Sequence, residues 1–139
     1  MNESGGITDG EARGLWRRIG DKVYLCGTLG SAYDARQRRA AAVSAAEAYR
    51  MQQEGLAEVE RLMDRLEGEA VRSLTDGETL QRRRSPGYGE LSLSLSREIL
   101  DRLDATARIG VTLTDSLLLV PSKSVTAICG IARANSSQK

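Results

Sequence analysis

The stretch TDGEARGLWRRIGDKVYLC, residues 8–26, is where the fold of this 139-residue chain is decided. With a period of 3.6, Leu15, Ile19 and Val23 recur at i, i+4 and i+8 with Trp16 beside them, which makes one apolar helical face. Arg13, Arg17 and Lys22 fall on the other side. Thr8-Asp9-Gly10-Glu11 has the spacing of a capping box, in which the Thr hydroxyl and the Glu carboxylate satisfy orphan amides at a helix start. This reading predicts a first helix ending near Cys26, where Gly27 and Gly30 bracket a turn. Residues 1–10 then form a flexible leader.

Outward from there, Ser31-Ala-Tyr-Asp34 offers a second cap, and from Ala32 to Leu66 there is no Pro and one Gly, Gly55. Strong helix formers dominate, so a single helix of roughly 35 residues and about 50 Å is expected. Ala40, Ala41, Ala42, Ala45, Ala46 and Ala48 give its first half a small-residue surface that lets another helix approach closely. Val59, Leu62, Met63 and Leu66 give the second half a narrow apolar seam. A heptad extended backwards puts Gly55 and Gln52 in that seam, which argues against a sustained coiled coil and for lateral packing.

Residues 67–90 are polar and Gly-punctuated, with a turn at Thr75-Asp76-Gly77 and a basic loop at Gln81-Arg82-Arg83-Arg84-Ser85-Pro86-Gly87. Residues 88–96 satisfy two templates. Leu91, Leu93 and Leu95 alternate as in a strand, while Leu91, Leu95, Ile99 and Leu103 follow helical spacing. A helix covers Arg97 to Arg108 on either reading, and Gly110 ends it. Leu117–Val120 is an apolar run stopped by Pro121, and Ser122 to Ala134 reads as a last short helix with Val125, Ile128 and Ile131. The tail from Asn135 frays. The expected architecture is mostly α, with a long central helix and an antiparallel packed partner helix, assembling as an oligomer. A short β element within 75–95 is the only strand allowed for. The parts are a leader at 1–10, a helical core domain at 11–114 and a C-terminal interaction segment at 115–139.

Composition narrows function. There is no His, so neither a Ser-His-Asp or Cys-His nucleophilic site nor a His-ligated metal centre can be built within the chain. Cys26 and Cys129 have neither zinc-knuckle nor disulfide-framework spacing, which points to a reducing, cytosolic setting. Nothing matches a phosphate-binding Gly-rich loop or a nucleophile elbow. No catalytic residue, metal or cofactor is expected, and no apolar run approaches a membrane span. Lys+Arg 20 against Asp+Glu 19 leaves a net charge of +1, but three of the cations are lysines and the rest arginines. Arg36, Arg38 and Arg39 gather at the start of the long helix, and Arg82, Arg83 and Arg84 in one loop. Their forks suit phosphate oxygens, although solvated faces or pairs with Glu47, Glu54, Glu58 and Glu60 would use the same residues. The run from Leu91 to Leu103 also imitates the strand and first helix of a ribbon-helix-helix repressor, with Ser92 and Ser94 where base-reading residues would stand.

The order of these pieces resembles the small terminase subunit of tailed double-stranded-DNA bacteriophages over roughly residues 11–114. The residues carrying the resemblance are Leu15-Trp16-Arg17-Arg18, Gly27-Thr28-Leu29-Gly30, Asp34, Ala42 through Tyr49, Thr75-Asp76-Gly77, Ser85-Pro86 and Ile109-Gly110-Val111-Thr112-Leu113-Thr114. After Thr114 the family's Pro and Arg are missing and Leu117–Val120 stands instead. The resemblance implies a non-catalytic DNA-packaging factor in the host cell cytoplasm. It would form a homo-oligomeric ring, engage double-stranded viral DNA and regulate the large terminase ATPase/nuclease. In that frame Arg36, Arg38, Arg39, Arg82, Arg83 and Arg84 contact DNA, and Ala42, Ala46, Val59, Leu62 and Leu66 hold neighbouring subunits. Two other readings compete: a connector, adaptor or scaffold of the virion that binds only protein, and a ribbon-helix-helix repressor.

Overall fold

Glycines at 10 and 20 turn the expected first helix into two hairpins. In the computed structural model, which describes residues 3–134, strands β1 (Ser4–Asp9), β2 (Ala12–Ile19) and β3 (Lys22–Thr28) are joined by the two-residue loops Gly10-Glu11 and Gly20-Asp21. Gly10 and Gly20 both have φ of +63°, the left-handed backbone that a short hairpin loop takes up at little steric cost only with Gly. Two interior glycines, Gly14 and Gly20, would also cost a helix about 1 kcal/mol each relative to Ala. The helical spacing of Leu15, Ile19 and Val23 was a coincidence of period. The leader expected at 1–10 contains β1 instead.

The rest of the chain adds α1 (Ser31–Val43), α2 (Ala45–Arg72), β4 (Glu78–Leu80), α3 (Leu95–Leu103), α4 (Ala105–Ile109), β5 (Thr112–Leu113), β6 (Leu119–Val120) and β7 (Ser124–Arg133). With 42% helix and 30% strand, the protein is mixed and not mostly helical. Its centre is an antiparallel five-stranded sheet in the order β1-β2-β3-β7-β4, curled into a half-barrel. The window 75–95 contains only the three-residue β4, at one edge of that sheet. The last helix expected over 122–134 is β7, seated between β3 and β4. Ala127 and Cys129 go to one face, Thr126 and Ile128 to the other, so its apolar run records burial on both sides. β7 is therefore part of the core. The expected fraying from Asn135 lies outside the described residues.

Helices cover both sheet faces. On one, Val23, Leu25, Trp16, Ala127 and Cys129 meet Leu62, Met63, Leu66 and Ala70 of α2. On the other, Leu15, Tyr24, Cys26 and Ile128 meet Ile99, Leu100 and Leu103 of α3, with Ala105 and Val111. Cross-strand partners Gly14 and Gly27 floor the α2 side. A Cβ at Gly14 would lie 2.7 Å from Leu66 Cδ1, and one at Gly27 2.9 Å from Met63 Sδ, so only glycine lets the helix sit this close. Trp16 closes one flank, its indole N–H donating to Glu69 Oε1 at 3.0 Å.

The long helix breaks at Ser44, whose extended backbone (φ −165°, ψ 150°) ends α1 and caps α2 by accepting from Glu47 N at 3.0 Å. Ser44-Ala-Ala-Glu47 is a capping-box sequence inside the apparent run. The two helices run antiparallel: Gln37 Nε2 donates to Ala48 O at 3.0 Å, and Tyr33 OH to Met51 O. Gly55 leaves room for the Tyr33 ring, which a Cβ would strike.

Three substitutions test this packing by urea unfolding. Leu66→Ala is expected to cost about 2–5 kcal/mol as a core cavity, and Gly14→Val about 1–3 kcal/mol as overpacking. Gly55→Ala, worth about 1 kcal/mol of stabilisation in an open helix, is expected to destabilise. An unchanged midpoint for Leu66→Ala would contradict the buried seam.

Candidate functional site

Beyond β4 the chain keeps pairing with β7: Gln81 N donates to Gly130 O at 2.8 Å, and Arg84 and Ile128 exchange amide bonds at 3.0 and 2.9 Å. Between the Gln81–Gly130 and Arg84–Ile128 pairings, Arg82 and Arg83 both stand opposite Cys129, a one-residue bulge that parts three consecutive arginines. Arg83 faces α2, where its guanidinium meets Glu60 at 2.8 Å, Asp64 at 3.1 Å and Glu67 at 2.8 Å, with 17% of the side chain exposed. A guanidinium held by three carboxylates is a tie between strand and helix and is not available to a phosphate. Arg82 and Arg84 turn to the opposite face, and among the described residues neither side chain has a hydrogen bond or ion pair.

There they border a cleft of about 390 Å³ together with Lys22, Gln81, Ile128 and Gly130. Lys22 pairs with Gly130 across the sheet, which brings it beside the basic segment. Its only ion pair among the described residues is with exposed Asp21, at 3.6 Å. No carboxylate lines this cleft. A second cleft, of about 550 Å³, is bordered by all three arginines together with Glu60, Ser85, Tyr88, Gly89 and Glu90. Tyr88 is 76% exposed. Sequence reading overlooked Lys22 and Tyr88; the first would follow from recognising Gly20-Asp21 as a hairpin loop, and the second had no local signal.

A buried hub holds this edge in place. Glu78 accepts from Arg18 through both guanidinium nitrogens, at 2.8 and 2.7 Å, from Arg133 at 2.6 Å and from Thr75 N at 3.0 Å. With 1% of its side chain exposed, it joins β2, β4 and β7. The Arg18 hydrogen bonds above all hold its carboxyl well below the usual range.

The remaining residues expected at a site are scattered. Arg36 lies 3.9 Å from Glu11 and over the Tyr33 ring at 5.5 Å. Arg38 and Arg39 are exposed on α1, as are Ala42 and Ala46 around its junction with α2. Val59, Leu62 and Leu66, expected between subunits, are buried within the protomer, because the sheet supplies the apolar partner that the seam needs. Residues 91–94 pair in no strand, so Ser92 and Ser94 stand on no ribbon. Burial pushes both the Cys26 and Cys129 thiols up to about 12, which leaves them protonated at neutral pH. No group of three or more Cys, Asp or Glu side chains among the described residues is placed to hold a metal ion, and no described helix is long and apolar enough to cross a membrane.

No family model matches this chain, and no curated protein matches it.

Because Glu78 has its pKa depressed on folding, its contribution to stability is complete above the unfolded value of about 4.3 and is lost as pH falls below it. Glu78→Gln is expected to melt at lower temperature at pH 7, and the gap from the parent should narrow steadily in thermal melts taken below about pH 4.3. A gap independent of pH would show that the hub does not titrate with folding.

Proposed function

We propose that this protein is a non-catalytic assembly factor that binds further copies of itself through the α1–α2 arm. The observation that carries this reading is how little of that arm serves the protomer. Tyr33 is the only buried residue of α1, and the buried residues of α2 begin at Gly55. The first ten residues of α2, about 15 Å of helix, and the α1 residues beside them reach the core only through Tyr33 and the half-buried Met51. They present Ala42, Ala45 and Ala46 with Val43, 80% exposed, and Tyr49, 68% exposed. The two helices differ in charge. α1 carries Arg36, Arg38 and Arg39 against one acid, Asp34, which Ser122 already engages at 2.9 and 2.8 Å. The outer part of α2 carries Glu47 and Glu54 against Arg50, which bridges both and leaves a net charge of −1. An arm that is basic on one helix and acidic on the other suits a second copy of itself, α1 against α2.

Within that class, the narrower setting is tailed-phage assembly, as a DNA-packaging factor beside a large ATPase/nuclease subunit. The resemblance over residues 11–114 supports it. A ring built on Val59, Leu62 and Leu66 is replaced by one built on the arm. A virion adaptor that binds only protein shares the arm and differs in lacking a nucleic-acid partner.

Size-exclusion chromatography with light scattering tests the reading. The parent is expected to run at a multiple of 15.1 kDa, and Ala46→Arg with Tyr49→Glu to return it to one chain's mass with its melting temperature unchanged. A monomeric parent at tens of micromolar, or an oligomer indifferent to both substitutions, would remove the arm from the assignment.

A further inference from the structure

We propose that the ridge made by Arg82 and Arg84 binds single-stranded nucleic acid, its phosphates on the Lys22 side and a base on the Tyr88 side. The two clefts share these arginines as a common wall but differ in chemistry. The first gathers three cations with no carboxylate, over the backbone of Ile128 and Gly130. Arg83 stands at the edge of the second cleft, where its guanidinium holds Glu60 at 2.8 Å and leaves Arg82 and Arg84 uncompensated. Two arginines without a partner among the described residues, beside a lysine held only by exposed Asp21, attract a chain of phosphates. The second cleft sets the exposed Tyr88 ring beside Glu90 and Glu60. Those acids repel phosphate, but an aromatic face stacks on a base, and a carboxylate accepts from an exocyclic amino group. A cationic trough adjoining an aromatic, acceptor-lined one matches the alternation of phosphate and base along one strand. In a duplex the bases are stacked on one another and their faces are closed to Tyr88, so the strand must be single. This inference does not depend on the arm, whose residues lie elsewhere on the chain.

The experiment is fluorescence anisotropy of a labelled oligothymidine, a mixed-sequence single strand and a duplex of equal length, with the full chain, across about 50–200 mM salt. Binding of the single strands is expected to exceed that of the duplex. Its logarithm should fall against log salt with a slope of about −2, from roughly −0.7 for each of three phosphates. Arg82→Ser with Arg84→Ser should weaken binding at least tenfold and flatten the slope. Tyr88→Ala should weaken it by about fivefold or more, as loss of one stacked base, and leave the slope unchanged. Arg61→Ser with Arg108→Ser, two exposed arginines that border neither cleft, serves as the charge-matched control and should change neither. All replaced side chains are exposed, and circular dichroism melts confirm folding. No binding by the parent at low salt overturns the proposal. So does duplex preference, equal loss in the charge-matched control, or full competition by inorganic polyphosphate together with indifference to Tyr88→Ala.

Discussion

The apolar seam of α2 rests on a sheet that has no side chains where the helix crosses it. Gly14 and Gly27, paired across β2 and β3, leave a furrow into which Leu62, Met63 and Leu66 descend. The α2-facing residues of β3 and β7, Val23, Leu25, Ala127 and Cys129, then close around them. Almost every other feature follows from that contact. It fixes the inner part of α2, leaves its outer part without a floor, and so creates the arm. It also sets which sheet face Arg83 meets, and therefore which face is left to Arg82 and Arg84. Dense packing of this kind tolerates little change of volume, so the furrow is a constraint on sequence as well as a result of it.

Polar ties work at the rim. Glu78 gathers two arginines and a backbone amide where β2, β4 and β7 come together, and the Arg83 cage joins the β4 edge to α2. Both groups have their charge compensated by partners, which makes ionisation tolerable at low exposure. Arg82, Arg84 and Lys22, by contrast, are compensated weakly or not at all. The caged arginine and the unpaired ones sit next to each other in the chain and are parted by a one-residue bulge.

The two helices that α2 and α3 became were legible in their apolar spacing, and so was the break at Gly110. The hairpins were not, because Leu15, Ile19 and Val23 satisfied a helical period while Gly10 and Gly20 carried the weaker-looking signal of positive φ. β7 was misread for a different reason: a strand buried on both faces loses its alternation, and a short apolar run without alternation reads equally as helix. The break at Ser44 was missed, because a lone capping residue inside thirty-odd helix formers is outweighed by propensity. The arginine pairs at 82–84 were singled out from composition; their division into a tie and a ridge, and the arrival of Lys22 beside them, needed the register of β3, β7 and the segment after β4.

By itself the sequence determined a few local matters: that helix fills most of 31–72, that a turn falls at 75–77 and a helix ends at Gly110, that no histidine chemistry is available, and that arginine carries nearly all the positive charge. Tertiary structure decided what those stretches face. Whether Leu62 and Leu66 meet a sheet or a sister subunit, and whether an arginine meets carboxylates or solvent, depends on contacts between residues far apart in the chain. No local period encodes them, because burial of a side chain is a property of its distant neighbours and not of its own segment.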